Sequence, residues 1–368
     1  MKAIIAFCFL KGLMKFTFIY LLSLLSYPLY AEDAEIAGNV NPNYKPRESG
    51  RVSTQHALNL PPTHYYADAS MVFSASASYT LWVPYQNGLI IAISNAPPAS
   101  LTDLTPGNAL TPSSHPCSGL KVNVEKCGFY DDWTAGISYV WFNNPNNLRS
   151  KGFDINAYYK SPWIPDSYQD IYSIESSFSN QFNEVRGKLY KPLAFTSNFI
   201  LSPWICLVGA WESQYLNANI DYEGTGSDFY IFTMENKQFW WCIGPGSGLE
   251  IAFKTPWYLS LYLNAGGSLN LARHIIYQTS NQTNLFISST VETLLNTASF
   301  LWKVEPMIES SLGLRFDYSF SKTAIFLKSS WDLQTWFSHN GFITTKNRRG
   351  YYSNYSMQGL TVSAGCYF

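Results

Sequence analysis

Residues 359–368 read Gly359-Leu360-Thr361-Val362-Ser363-Ala364-Gly365-Cys366-Tyr367-Phe368. Leu360, Val362, Ala364, Cys366 and Phe368 are apolar or soft, while Thr361, Ser363, Gly365 and Tyr367 are smaller or more polar. Period-two alternation puts each set on one face of a strand. A strand whose apolar face runs to a terminal aromatic has the pattern of the closing strand of a membrane barrel, in which the last strand pairs with the first so that no edge is left in lipid.

The pattern recurs along the chain. Met71, Phe73, Ala75, Ala77, Tyr79 and Leu81 alternate with Ser74, Ser76, Ser78 and Thr80. Trp257, Leu259, Leu261, Leu263, Ala265, Leu269 and Leu271 alternate with Tyr258, Ser260, Tyr262, Asn264, Ser268 and Asn270. Leu312, Leu314, Phe316, Tyr318 and Phe320 oppose Ser311, Arg315, Asp317 and Ser319, and Ile325, Leu327, Trp331 and Leu333 oppose Lys328, Asp332 and Gln334. Shorter candidates include 204–220, 228–233, 238–252, 283–291 and 298–309. Segments of roughly 9–12 residues suit tilted membrane strands. The expected fold is all-β: a transmembrane antiparallel β-barrel of about 12–16 strands with a polar lumen. Phe320–Ala324 reads as a short periplasmic turn and Asn95–Pro116 as a long outer loop.

Composition agrees. Charged residues make up 13% of the chain, half the usual share of about 25%, and aromatics reach 17%. Scarce charge with abundant aromatics suits a lipid-facing band between two aromatic girdles. A soluble β-sandwich or solenoid also buries one strand face, but explains neither quantity. No apolar run approaches the ~20 residues of a spanning helix.

Residues 1–31 read as a signal peptide: Lys2, Lys11 and Lys15, an apolar centre at Ile19–Leu25, and Leu29-Tyr30-Ala31 before the cut. Met1 and Met14 are alternative starts, and an uncleaved anchor is the alternative to cleavage. Removing the segment takes three of 24 Lys/Arg and none of 25 Asp/Glu, leaving a net charge of −4. That charge is no footprint for nucleic acid. Residues 32–68, rich in Asn, Pro and polar residues, read as a periplasmic lead-in, and 69–368 as the barrel. The expected location is the bacterial outer membrane.

The alternation also assigns the lumen face. Glu184, Arg186, Lys188, Lys303, Glu305, Glu309, Arg315, Asp317, Lys328 and Asp332 all fall on the polar face and are candidate pore-lining residues. The lipid face excludes them, because Lys or Arg there costs about 2–4 kcal/mol at the midplane. Their mixed signs imply modest ion selectivity; simple solvation or mutual pairing is the alternative for each. Cys117 and Cys127, in or beside a loop, are the candidate disulfide, with free thiols as the alternative. No catalytic, cofactor-binding or metal-binding residue is expected. His56, His64, His115, His274 and His339 make no metal spacing. His339, after Trp336-Phe337-Ser338, reads as an interfacial residue, and Gly244-Pro-Gly-Ser-Gly248 as a kink or bulge rather than a phosphate cradle.

Several segments resemble the Legionella-type major outer membrane proteins, a family also found in chlamydia-related bacteria. They are Ser78-Tyr-Thr-Leu-Trp82 with Asn87-Gly-Leu89; Gly128-Phe-Tyr-Asp-Asp-Trp133 running to Tyr139-Val-Trp-Phe142; Ser202-Pro-Trp204 through Gly209; Phe239-Trp-Trp-Cys-Ile-Gly-Pro-Gly246; Trp331-Asp-Leu-Gln334; and Gly359-Leu-Thr-Val362. They keep the family's order across about 70–368. The resemblance implies a pore-forming barrel and abundant surface protein, with no catalytic residues to carry over. The chain departs from the family in the residues before Met14 and in Cys206, Cys242 and Cys366. The expectation is a porin passing ions and small hydrophilic solutes passively, without cofactor. Its partners would be membrane lipid, those solutes, a homo-oligomer mate and a host surface met by the loops. A plugged barrel acting as an adhesin or structural envelope protein is the alternative, and a barrel enzyme a weaker third.

Overall fold

The computed structural model describes residues 73–368 apart from 87–91, 95–108, 111–114, 131–132, 153–158, 162, 165–169, 197, 224–227, 256–257, 286–290, 321–322, 340 and 343–352. The signal peptide, the lead-in and most of the 95–116 loop lie outside the described residues.

Ten strands form the wall: β1 Phe73–Gln86, β2 Cys117–Tyr130, β3 Trp133–Gly152, β4 Asp170–Tyr190, β5 Phe199–Glu223, β6 Phe229–Lys254, β7 Leu259–Asn284, β8 Val291–Ser319, β9 Ala324–Trp336 and β10 Tyr355–Tyr367. Each pairs antiparallel with the next, and β10 returns to β1 in register from Ser74↔Tyr367 to Gln86↔Tyr355. Phe73 and Phe368 exchange two backbone hydrogen bonds of 3.0 Å, so the strand read first from the sequence closes the barrel. Three short segments, Ala92–Ser94, Ala109–Leu110 and Tyr159–Lys160, pair into a separate small sheet.

Ten strands replace the expected 12–16 because the strands are longer, up to 29 residues in β8. A lipid-facing row explains the length. Trp211, Trp241, Arg273 and Trp302 are successive cross-strand partners on the outer face of β5–β8. Below this row, toward the termini, the outer face is apolar: Ile205, Leu207, Ile243, Leu269, Leu271, Val304 and Ile308 are exposed. Above it the outer face carries Asn217, Asn219, Glu235 and Lys237, while the inner face carries buried Leu216, Ile220, Phe232, Met234 and Ile276. Polarity therefore inverts just above the row, past the exposed rings of Tyr215, Phe239, Tyr277 and Phe300. Below it the wall meets lipid outside; above it, water outside and an apolar core inside. Trp163 and Ile164 from the β3–β4 connection and Phe342 from the β9–β10 connection complete that core.

A lower girdle comprises Phe73, Phe368, Tyr258, Tyr318 and Phe320. From Val304 to Phe316 the twelve steps of β8, at about 3.3 Å each and tilted by about 40°, cover roughly 30 Å, enough for the apolar band. The connections at this end are short, two residues (131–132) between β2 and β3 and four (320–323) between β8 and β9. The opposite end carries 87–116, 153–169 and 337–354. Short periplasmic turns and long outer loops set the orientation.

Candidate functional site: the interior of the barrel

All ten candidate pore-lining residues face inward. Glu184, Arg186, Lys188, Glu309, Arg315, Lys328 and Asp332 line one cavity of about 180 Å³ in the periplasmic half. Serines on β1, β9 and β10 (Ser76, Ser78, Ser330, Ser363) leave the room for it. The charges are paired rather than loose. Arg186 donates to Glu184 at 2.8 Å and to Glu309 at 2.6 Å. Lys188 lies 3.9 Å from Glu250 and 5.0 Å from the Trp204 ring centre. Arg315 grips both oxygens of Asp317 and also reaches Tyr367. Lys328 lies 3.8 Å from the centre of the Tyr262 ring.

Lys303 and Glu305 sit higher, at a layer that crosses the lumen. Trp82, Cys117, Phe142, Phe182, Ala210, Trp240, Ala272, Met307, Trp336 and Tyr355 belong to one buried apolar cluster, and every strand of the wall contributes to it. Phe182 of β4 lies 6.4 Å from Trp240 of β6, 6.1 Å from Trp336 of β9 and 6.4 Å from Tyr355 of β10. Hydrogen bonds cross at the same level. Asn180 donates to the Tyr355 hydroxyl at 2.7 Å, Gln334 to Glu184 at 2.6 Å and Gln86 to Gln214 at 3.3 Å. The lumen is thus polar below and sealed by side chains at mid-height.

His339 completes the seal, and its sequence reading as an interfacial residue is corrected. The chain turns inward after Trp336 and buries the imidazole completely. Its Nε2 meets Glu212 of β5 and its Nδ1 lies 3.3 Å from Glu305 of β8. Glu305 also holds His274 Nε2 at 2.7 Å, Trp240 Nε1 at 2.9 Å and Lys303 Nζ at 2.9 Å. Burial opposes charge on His339, but Glu212 and Glu305 outweigh it and raise the imidazolium pKa to about 9. Each residue of this cluster is regular in the sequence except His339. A loop that folds back into a barrel has no period to betray it. Among the described residues no group of His, Cys, Asp and Glu has metal-binding geometry.

Two further expectations change. Cys117 and Cys127 are not joined by a disulfide and lie on one strand, β2. Ten steps at about 3.3 Å separate them by roughly 33 Å, far beyond disulfide reach: each stands beside a connection, but at opposite ends of the strand. Gly244–Gly248 is not a bulge, since β6 keeps register with β5 throughout, from Gly244↔Val208 to Gly248↔Trp204, although its pairing with β7 lapses at Gly244-Pro245. Gly248 makes room for an indole. A Cβ on Gly248, or on Gly266 of β7, would collide with the Trp204 ring.

Similarity to known proteins fits this architecture. Residues 125–368 match the family model described as Legionella pneumophila major outer membrane protein precursor. Comparison with curated proteins gives no match. Among solved structures, outer membrane protease OmpT from Escherichia coli is similar at 10% identity and a TM-score of 0.41, covering 81% of this chain and 96% of that one. A Pseudomonas aeruginosa FadL homologue is similar at 8% identity and a TM-score of 0.26, covering 83% and 94%. The Pseudomonas putida toluene transporter TodX gives 8% and 0.26, covering 86% and 93%. None of these three likenesses bears on activity. The matched segment runs from β2 to the closing strand, two thirds of the sequence, and the chain belongs to the Legionella major outer membrane protein family, a β-barrel of the bacterial outer membrane.

Proposed function

We propose that the chain is a gated diffusion channel for ions and small hydrophilic solutes, held shut in this conformation by the mid-lumen layer. The observation that carries the reading is the charged chamber directly beneath that layer, lined by paired groups of both signs. Buried charges are costly unless paired or hydrated. A chamber with five cationic and five acidic side chains (Lys121, Arg186, Lys188, Arg315, Lys328; Glu125, Glu184, Glu250, Glu309, Asp332) suits solute exchange, and its balanced signs suit weak ion selectivity. The ten candidate residues take three roles in this reading. Seven line the chamber, Lys303 and Glu305 anchor the gate, and Asp317 holds Arg315. No cofactor enters, and the His274–Glu305–His339–Glu212 cluster is structural: all four side chains are buried beyond the reach of a substrate.

The alternative, a permanently plugged barrel with a surface or structural role, is favoured by one observation: every strand contributes to the seal. Single-channel recording in planar bilayers separates the two. As a gated channel, the native chain shows infrequent openings, and Trp240→Ala/Trp336→Ala shows long-lived steps that scale with salt. If both proteins fold, judged by heat-modifiable migration, and neither conducts, the channel reading fails and the plugged barrel stands.

A further inference from the structure

We infer that Arg273 and its tryptophan neighbours form a binding site on the lipid-facing wall for the phosphorylated sugar headgroup of an outer-leaflet glycolipid. Arg273 points outward from β7, between buried Ala272 and His274. It pairs across the sheet with Trp241 on one side and Trp302 on the other. The two indoles lean together over β7, with ring centres 5.4 Å apart in a T arrangement. The guanidinium carbon lies 5.6 Å from the Trp302 ring centre, within cation–π reach.

The site lies within the aromatic belt just below the inversion of polarity, with exposed Phe239, Tyr277 and Phe300 above it, a depth that outer-leaflet headgroups reach. Among the described residues Arg273 has no carboxylate partner, and its Nε is buried without a hydrogen bond. Two other outward cations among the described residues have partners of their own. Lys126 lies 5.8 Å from the Phe73 ring at the opposite rim, and Lys237 stands higher, 4.0 Å from Glu235. An unpaired guanidinium is disfavoured against lipid. A phosphate at headgroup depth supplies the missing charge and accepts the forked N–H groups bidentately. The flat indole faces add a stacking surface for the sugar that carries the phosphate. A glycerophospholipid has the phosphate but no sugar ring for the indoles, so the glycolipid is the occupant to which the geometry points.

The test is lipid retention by the full folded chain, read by native mass spectrometry and independent of conduction. Wild-type protein should retain bisphosphorylated lipid A at least five-fold better than its dephosphorylated form or phosphatidylglycerol. Arg273→Gln should lose that preference while keeping heat-modifiable migration. Lys126→Gln, at the other rim, should retain it. Equal retention by Arg273→Gln and wild type overturns the site. So does equal retention of phosphatidylglycerol and lipid A, or an equal loss in Lys126→Gln.

Discussion

Arg186 on β4 and Glu309 on β8 meet at 2.6 Å across the lumen, with β5, β6 and β7 lying between them in the wall. Neither strand touches the other by backbone, so the pair is a strut across the barrel. Both side chains are nearly buried, and Glu184 gives Arg186 a second carboxylate. Breaking a buried pair from one side leaves an uncompensated charge, at a cost of about 3–5 kcal/mol, whereas replacing both partners by apolar groups is often neutral. Arg186→Met should therefore destabilise the barrel by about 3 kcal/mol in urea unfolding from lipid vesicles. Arg186→Met/Glu184→Gln/Glu309→Leu, which removes both carboxylates with their cation, should recover much of that loss. Additive losses would show that the cation and its carboxylates do not act as a unit.

The inversion of polarity just above Trp211, Trp241 and Trp302 predicts which outer-wall positions meet water. Asn217 lies above the row on β5 and Leu207 below it, both facing outward. On intact cells, Asn217→Cys should react with a membrane-impermeant maleimide, and Leu207→Cys should stay at the background of the native thiols. Equal labelling of the two would contradict the assigned membrane level.

The same inversion shows why strand number was not legible in the sequence. Along β6 the apolar set is outward at Phe239, Trp241 and Ile243 but inward at Phe232 and Met234. Period two continues unbroken, yet its phase flips by one residue. A pattern reading takes the flip for a break and divides one strand into 228–233 and 238–252. β8 divides in the same way at 291–298. The inward face is legible from local phase alone, which is why Glu184, Lys303 and Asp332 all point into the barrel. Closure of the lumen was not legible, because Phe182, Trp240 and Trp336 meet through contacts 58 to 154 residues apart in the chain.

Trp204 offers a test of the chamber wall. Its ring lies over Gly248 and Gly266, and its Nε1 donates to Asn264 at 2.8 Å. A larger residue at either glycine must displace the indole toward Lys188. Overpacking of this kind typically costs about 1–3 kcal/mol. Gly266→Val should destabilise the barrel by that amount, and Gly266→Val/Trp204→Leu should restore most of it. The readout is the midpoint of the heat-modifiable gel shift. Failure of the second change to compensate would mean that the glycine serves the backbone ladder rather than the indole.

His339 makes closure depend on pH, with a sign that follows from its charge. The imidazolium is held up to about 9 by Glu212 and Glu305, against 6.5 when the loop is free. A raised pKa stabilises the closed state fully below about 6.5. That contribution declines as pH rises and is lost above about 9, when the buried ring becomes neutral and the two carboxylates lose their counter-charge. A shift of this size corresponds to up to about 3 kcal/mol of closure. Raising pH from 6 to 9.5 should increase the open fraction in bilayer recordings and lower the thermal midpoint of the barrel. His339→Gln fills the same space without a titratable charge, so its open fraction should be higher at pH 6 and change little by 9.5. The opposite sign, with wild type closing as pH rises, would mean that another group governs the seal and that the His339 contacts merely pack it.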